Sequence, residues 1–358
     1  MKIALVYDWA DKQGGVERLL QTLIKIFPES DFYTSVYDSQ KAPWLEAKKV
    51  HTSFMQALPD FIKKNRVLSA GLYPYAFEAF DFSGYDLVIS ITSSFAKGII
   101  TKPDTKHVCI LLTPTRYIWG MKEAYKKTSV FDMFSAPFLS KLRKWDYIAA
   151  QRPDEIYAIS QLVAERCQKD YQRGAKVLYP PFDLDYWKSV TPEESDLPQE
   201  FYLVVSRLEP YKKISLVIDA FKTRQEKCIV VGSGSEMMHL KANSSSNITF
   251  LPEVSDGKLV YLYSKAKALI MPQEEDFGYT TLEALYFSCP VISYKRSGAA
   301  EIVLDEKTGL FFEEQTPESL RGALERFTSL TYNVASYKDR ILKQFSVADF
   351  QKVVSEFA

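Results

Sequence analysis

Apolar residues in this chain come in short, dense runs separated by amphipathic stretches. KIALVY (2–7), YDLVIS (85–90), HVCILL (107–112), EIYAIS (155–160), FYLVVS (201–206), KCIVVG (227–232), ITFLP (248–252), KALIMP (267–272) and PVISY (290–294) are rich in β-branched and apolar residues. Several are nearly continuous rather than alternating, the pattern of strands covered on both faces of a parallel sheet. Between them VERLLQTLIKIF (16–27), SLVIDAFKTR (215–224) and TTLEALYFS (280–288) repeat apolar positions at helical spacing. Such alternation predicts doubly wound α/β layers. It breaks once, at YPPFDLDYWKSVTPEESDLPQE (179–200), which is rich in Pro and acid and has no periodicity. We therefore expect one domain over 1–182, a linker over 183–200 and a second domain from 201. The ligand cleft should lie between them, at the carboxyl ends of the strands.

Composition narrows the class. The chain has 358 residues, 46% apolar and 25% charged, which suits two soluble globular domains. No run approaches the ~18 apolar residues of a membrane span. The opening MKIALVYDWADKQGG reads as a buried strand, not a signal peptide, so a cytosolic protein is expected. Cys109, Cys167, Cys228 and Cys289 are too evenly dispersed for a zinc site or disulfide framework. The three histidines, His51, His107 and His239, form no ligand pair, so no metal is expected. Zero net charge hides a division. Residues 1–182 hold 25 Lys+Arg against 19 Asp+Glu, a balance of +6 that leaves −6 for the rest. That asymmetry suggests an anionic partner for the first half, but no nucleic-acid motif accompanies it.

Candidate chemistry follows the strands. In FYLVVSRLEPYKK, Arg207 directly follows a strand and Lys212 stands five residues on. Two fixed cations there suit a diphosphate leaving group, whose charge grows as the bond to it breaks. An ordinary solvated basic loop fits about as well. In MPQEEDFGYTTLEAL (271–285) a strand ends at Pro272, a turn runs through Asp276, Phe277 and Gly278, and a helix starts near Thr280. Free N–H groups at that start make an anion site. Glu275 and Glu283, eight residues apart, can accept from sugar and ribose hydroxyls. Glu275 and Asp276 also suit the helix dipole, but an unpaired Glu283 within Leu282-Ala284-Leu285 would be costly. GSGSE (232–236) and GGVE (14–17) are Gly-rich turns able to admit a phosphate or sugar, and each is equally ordinary as a tight turn.

Taken together, GGVE, RLEPYK, EEDFGYTTLE and PVISYKRSGAAEIV resemble glycosyltransferase family 4, retaining enzymes of GT-B fold. Its Glu-x7-Glu signature matches Glu275 and Glu283, and its Arg-x4-Lys pair matches Arg207 and Lys212. YDWADKQGGVERLL, YDLVIS with AKG (96–98), TPTRYIW (113–119), VLYPPFDLDYW and TGLFF resemble the WbaZ-like O-antigen mannosyltransferase branch. The resemblance implies two Rossmann-like domains, the second spanning 201–344, with the closing helix of 345–358 returning to the first. It implies that Arg207 and Lys212 bind the donor diphosphate, Glu275 the sugar and Glu283 the ribose. Phe277, Gly278, Tyr279 and Thr280 would contact sugar and phosphate, Gly15 and Gly232 would adjoin the diphosphate, and the base would rest near Leu251–Val254. Asp8, Thr113, Arg116 and Tyr117 would face the acceptor. Leu112 stands where the branch has His, and Ser297-Gly298 where it has two glycines.

The implied reaction is front-face transfer from a nucleotide sugar, GDP-mannose favoured, to a lipid-linked or saccharide acceptor of cell-surface polysaccharide. Lysines and aromatics mingle in 120–145 and in FIKKNRVLSAGLYPYAF (61–77), which suits an anionic membrane surface or, alternatively, a solvated helix face. Peripheral binding at the inner face of the cell membrane is expected. Leu112 leaves a second reading open, a catalytically weak subunit that binds nucleotide sugar or glycan beside a partner transferase.

Overall fold

The computed structural model describes residues 1–12, 14–63, 65–66, 68–119, 129–194, 196–198 and 200–357, with backbone alone over 129–135. The chain divides into two compact units, Met1–Pro181 with Val347–Ala358, and Phe182–Ser346.

Among the described residues the first unit carries β1 (Ile3–Tyr7), β2 (Asp31–Thr34), β3 (Val50–Thr52), β4 (Leu87–Thr92), β5 (Lys106–Leu111), β6 (Glu155–Ala158) and β7 (Lys176–Val177). Their order is β3-β2-β1-β4-β5-β6-β7, every pair parallel. The second unit carries β8 (Phe201–Val205), β9 (Lys227–Val231), β10 (Ile248–Leu251), β11 (Ala268–Met271), β12 (Val291–Tyr294) and β13 (Gly309–Phe312), in the order β10-β9-β8-β11-β12-β13, again parallel. Each sheet reverses its strand order once, between β1 and β4 and between β8 and β11. This is the Rossmann-like winding the apolar runs predict. Strands β1, β4 and β11 are buried along their whole length, as sheets covered by helices on both faces require.

Two things differ from the sequence expectation. DFYT (31–34), VHT (50–52) and KV (176–177) are strands although none is a dense apolar run; they lie toward the two sides of the first sheet, where burial is incomplete. The stretch 183–200 is not a bare linker. It opens with a helix, Leu184–Ser189, capped by Asp183 Oδ1 accepting from the Tyr186 N–H at 3.0 Å. Trp187 on that helix is buried and edge-on to Phe287 at 5.8 Å, so the segment is built into the second unit. The closing helix, Val347–Ser355, packs against the first helix of the chain (Gly15–Ile26), and Phe357 meets Tyr157 at 4.7 Å.

Candidate functional site

In the second unit the sequence candidates gather along one edge, the carboxyl ends of neighbouring strands. Arg207 follows β8, Gly232 follows β9, Val254 follows β10, Glu275 follows β11 and Ser297 follows β12. Arg207 and Glu275 thus flank the strand-order switch, where ligands of open parallel sheets bind.

Lys212 closes a short turn of 3-10 helix, Pro210–Lys212, and Lys213 then enters the left-handed region at φ 55°. That turn buries Lys212 and brings its Nζ to 2.5 Å from Glu275 Oε2. Arg207 is exposed, and its guanidinium donates to the Tyr211 hydroxyl at 2.6 Å. The Tyr211 ring also lies 5.3 Å from Lys212 Nζ. Tyr211 therefore ties the two cations together.

The turn carrying Glu275 is fixed from the β12 side. Ser297 Oγ accepts from the Glu275 N–H at 3.2 Å, and the Gly298 N–H donates to the Glu275 carbonyl at 2.7 Å. A methyl on Gly298 would lie 2.3 Å from the Asp276 carbonyl oxygen, so the second of the two expected glycines is the one this packing demands. Ser at the first position supplies a hydrogen bond. Gly278 caps the helix Tyr279–Tyr286 with φ 95°, and Thr280 and Thr281 hydroxyls point at Met271 Sδ, at 3.8 and 2.8 Å. Phe277 is buried, its ring edge-on to Tyr279 at 5.3 Å and to Phe345 at 5.5 Å. Its ring serves packing.

Glu283 is buried one turn into that helix and accepts from the Tyr263 hydroxyl at 2.9 Å. Tyr263 has no sequence signal, because the contact spans twenty residues. The glycines of GSGSE have a packing reason: methyls on Gly232 and Gly234 would lie 1.9 Å from Ser206 O and 2.3 Å from Leu208 O. The turn is bonded to the Arg207 loop by Leu208 N–H to Ser233 O at 2.8 Å and Ser235 Oγ to Glu209 Oε2 at 2.7 Å. Gly232 thus braces the cation loop.

In the first unit Asp8, after β1, is fully buried and holds the turn that follows β4. Its Oδ1 accepts from Thr92 Oγ1, Phe95 N and Ala96 N, each at 2.8 Å, and its Oδ2 from Ser93 N at 2.8 Å and Ser93 Oγ at 3.3 Å. With five donors and no exposure, the carboxylate shapes the switch-point turn.

TPTRYIW and AKG meet through a residue that the sequence reading passed over. Asp146, on the helix Ser129–Ala149, is paired with buried Lys97 at 2.6 Å and accepts from Thr115 Oγ1 at 3.0 Å, Trp119 Nε1 at 2.7 Å and Tyr171 Oη at 2.8 Å. Thr113 is buried, Arg116 half-buried, and Tyr117 Oη meets Ser94 Oγ at 3.1 Å. Leu112 is buried, continuing the β5 pairing by donating to Thr92 O at 2.8 Å. Gly15 is exposed at the start of the first helix. Glu17, two residues on, is buried, and that burial raises its carboxyl above the usual range.

Of the membrane candidates, residues 120–128 and the side chains of 129–135 lie outside the described residues. Phe61, Leu68, Tyr75, Phe138 and Ile148 are exposed in the first unit. A methyl on Gly71 would lie 3.1 Å from Phe138 Cε2, so the segments holding Tyr75 and Phe138 adjoin. Among the described residues no helix is long and apolar enough to cross a membrane.

Residues 185–341 match the family model described as Glycosyl transferases group 1. The chain is 24% identical over 331 residues to an uncharacterized glycosyltransferase of Methanocaldococcus jannaschii, covering 90% of this chain and 86% of that protein. It is 31% identical over 180 residues to the Homo sapiens alpha-1,3/1,6-mannosyltransferase ALG2, covering 42% of this chain and 43% of that one. Its fold is that of the lipopolysaccharide outer core galactosyltransferase WaaB in its apo form, with a TM-score of 0.69 at 19% identity over 100% of this chain and 99% of that one. Both chains share the GT-B class of two Rossmann-like parallel-sheet domains.

Proposed function

We propose that this glycosyltransferase, whose residues 185–341 match the group 1 model, moves a hexosyl group from a nucleoside diphosphate sugar to an acceptor hydroxyl with retention at the anomeric carbon. Mannose from GDP-mannose is the favoured donor, in keeping with the mannosyltransferase relative. A lipid-linked or saccharide acceptor of surface polysaccharide is the favoured acceptor.

The observation that carries the reading is the pairing of buried Lys212 with Glu275 beside Arg207 at the β8/β11 switch. A preorganised cation next to a carboxylate suits a diphosphate leaving group held beside a polyhydroxylated sugar. In the step, the bond between anomeric carbon and phosphate oxygen breaks as the acceptor oxygen bonds to the same face of that carbon. The acceptor proton passes to the departing phosphate, whose charge Arg207 and Lys212 balance. Glu275 accepts from sugar hydroxyls, and Glu283, fixed by Tyr263, from the ribose. Asp8 shapes the turn after β4, and Asp146 shapes the turn that carries Thr113, Arg116 and Tyr117. The exposed aromatics of the first unit, with Lys141 and Lys144, support peripheral binding to anionic lipid.

A thermal-shift screen with UDP, GDP and dTDP identifies the base, since a ligand at 100 times its dissociation constant stabilises the fold by about 2.7 kcal/mol. Radiolabelled nucleotide sugar of that base, given with crude membranes, should then yield labelled glycan. Binding without transfer favours the partner-subunit reading, and binding of none of the three nucleotides refutes the transferase reading.

A further inference from the structure

We infer that Gln273 is a sugar-specificity residue: its side-chain carbonyl accepts a hydrogen bond from a hydroxyl of the donor sugar. The inference rests on the donor reading above and adds to it a residue outside both acid–base motif pairs.

Gln273 is the second residue after β11 and is 3% exposed. Its Nε2 donates to Glu275 Oε2 at 3.1 Å, the same oxygen that receives Lys212 Nζ at 2.5 Å. The carboxylate accepts only, so the amide must turn its N–H2 toward Glu275 and its oxygen away. That oxygen, Oε1, is buried and has no hydrogen-bond partner in the protein. An orphaned buried acceptor carries a desolvation cost and calls for a reason. Here the reason lies in where it is. The residue's other polar atom already grips the Lys212–Glu275 pair, so a hydroxyl entering beside Glu275 finds a rigid acceptor next to the carboxylate. The backbone supports this rigidity, because Gln315 Nε2 donates to the Pro272 carbonyl at 2.8 Å, one residue before. A site built to bond a hydroxyl rejects a sugar that lacks it, because its own polar atom is then left unpaired.

The test compares wild type with Gln273→Met, which fills the space without polar atoms. Dissociation constants are measured for UDP, GDP and dTDP, and for UDP-glucose, GDP-mannose and dTDP-glucose, on the full chain, together with the melting temperature of the ligand-free protein. For the base that binds, the ratio of the nucleotide-sugar constant to the nucleoside-diphosphate constant should rise about tenfold in the variant. Nucleoside-diphosphate binding should stay within about twofold. The ligand-free melting temperature is read only to show that the variant folds, since loss of the Nε2 bond to Glu275 and removal of a buried unpaired atom act in opposite directions. An unchanged ratio overturns the inference. So does equal weakening of both ligands, which assigns Gln273 to holding Glu275. If the wild type binds none of the three nucleoside diphosphates, the donor reading itself falls.

Discussion

Replacing Lys212 by Met removes one charge and keeps most of the buried stem. Its Nζ sits 2.5 Å from Glu275 Oε2, with side chains 10% and 21% exposed. Two effects separate cleanly. For stability, Glu275 keeps Gln273 as a donor and some access to water, so the cost falls below the ~3–5 kcal/mol of halving a fully buried pair. It exceeds the ~1 kcal/mol ceiling of exposed pairs. About 1–3 kcal/mol is expected, a melting temperature lower by several degrees in a protein that still folds. For catalysis, a fixed cation about 4 Å from a charge developing on the leaving phosphate contributes up to ~4 kcal/mol at an effective dielectric of ~20. Losing a comparable preorganised donor costs about 2.7–4 kcal/mol, or 100- to 1,000-fold in kcat. The assay follows nucleoside diphosphate release at saturating donor, with Lys213→Met, an exposed neighbour, as the control at wild-type rate. A Lys212→Met enzyme that binds nucleotide and turns over within threefold of wild type would refute the electrostatic role of this residue.

Two further predictions concern the first unit. Asp8→Ala strands three backbone N–H groups and a buried Thr92 hydroxyl, so it should lower the stability of that unit by more than ~3 kcal/mol in urea unfolding; a loss under 1 kcal/mol would mean the turn finds other partners. Burial, aided by Arg173 and Arg152, depresses the His107 imidazole to about 3 from 6.5, so the folded state refuses a proton that the unfolded chain takes. The resulting stabilisation is complete above pH 6.5 and is lost as the pH falls toward 3, at up to ~1.4 kcal/mol per pH unit. His107→Gln should flatten that part of the profile of urea midpoints between pH 7 and 4.5, and an unchanged slope would assign it to other groups.

What could be read directly from the residues was whatever the chain encodes locally. Dense apolar runs gave the strands that carry the site, and their regular alternation with helices gave the two parallel sheets. Arg207, Lys212, Glu275 and Glu283 could be proposed from the sequence because each lies at a fixed offset from a strand or helix end. The poorly buried strands DFYT, VHT and KV were not legible, since at the sides of a sheet the pressure for apolar residues is weak. The helix within 183–200 was hidden because a single Trp carries its packing.

Only the tertiary structure decided which polar groups meet. The donors on Asp8 come from 84 to 88 residues away, Asp146 reaches Lys97 across 49, and Lys212 reaches Glu275 across 63. No periodicity announces a partner at such distance, since it is the winding of strands that brings their carboxyl ends together. Asp8 holds a turn that no local pattern announces, and Gln273, which no spacing distinguishes, has an unpaired oxygen. Hydrophobic pattern is a property of neighbours along the chain, whereas hydrogen-bond satisfaction is a property of neighbours in space.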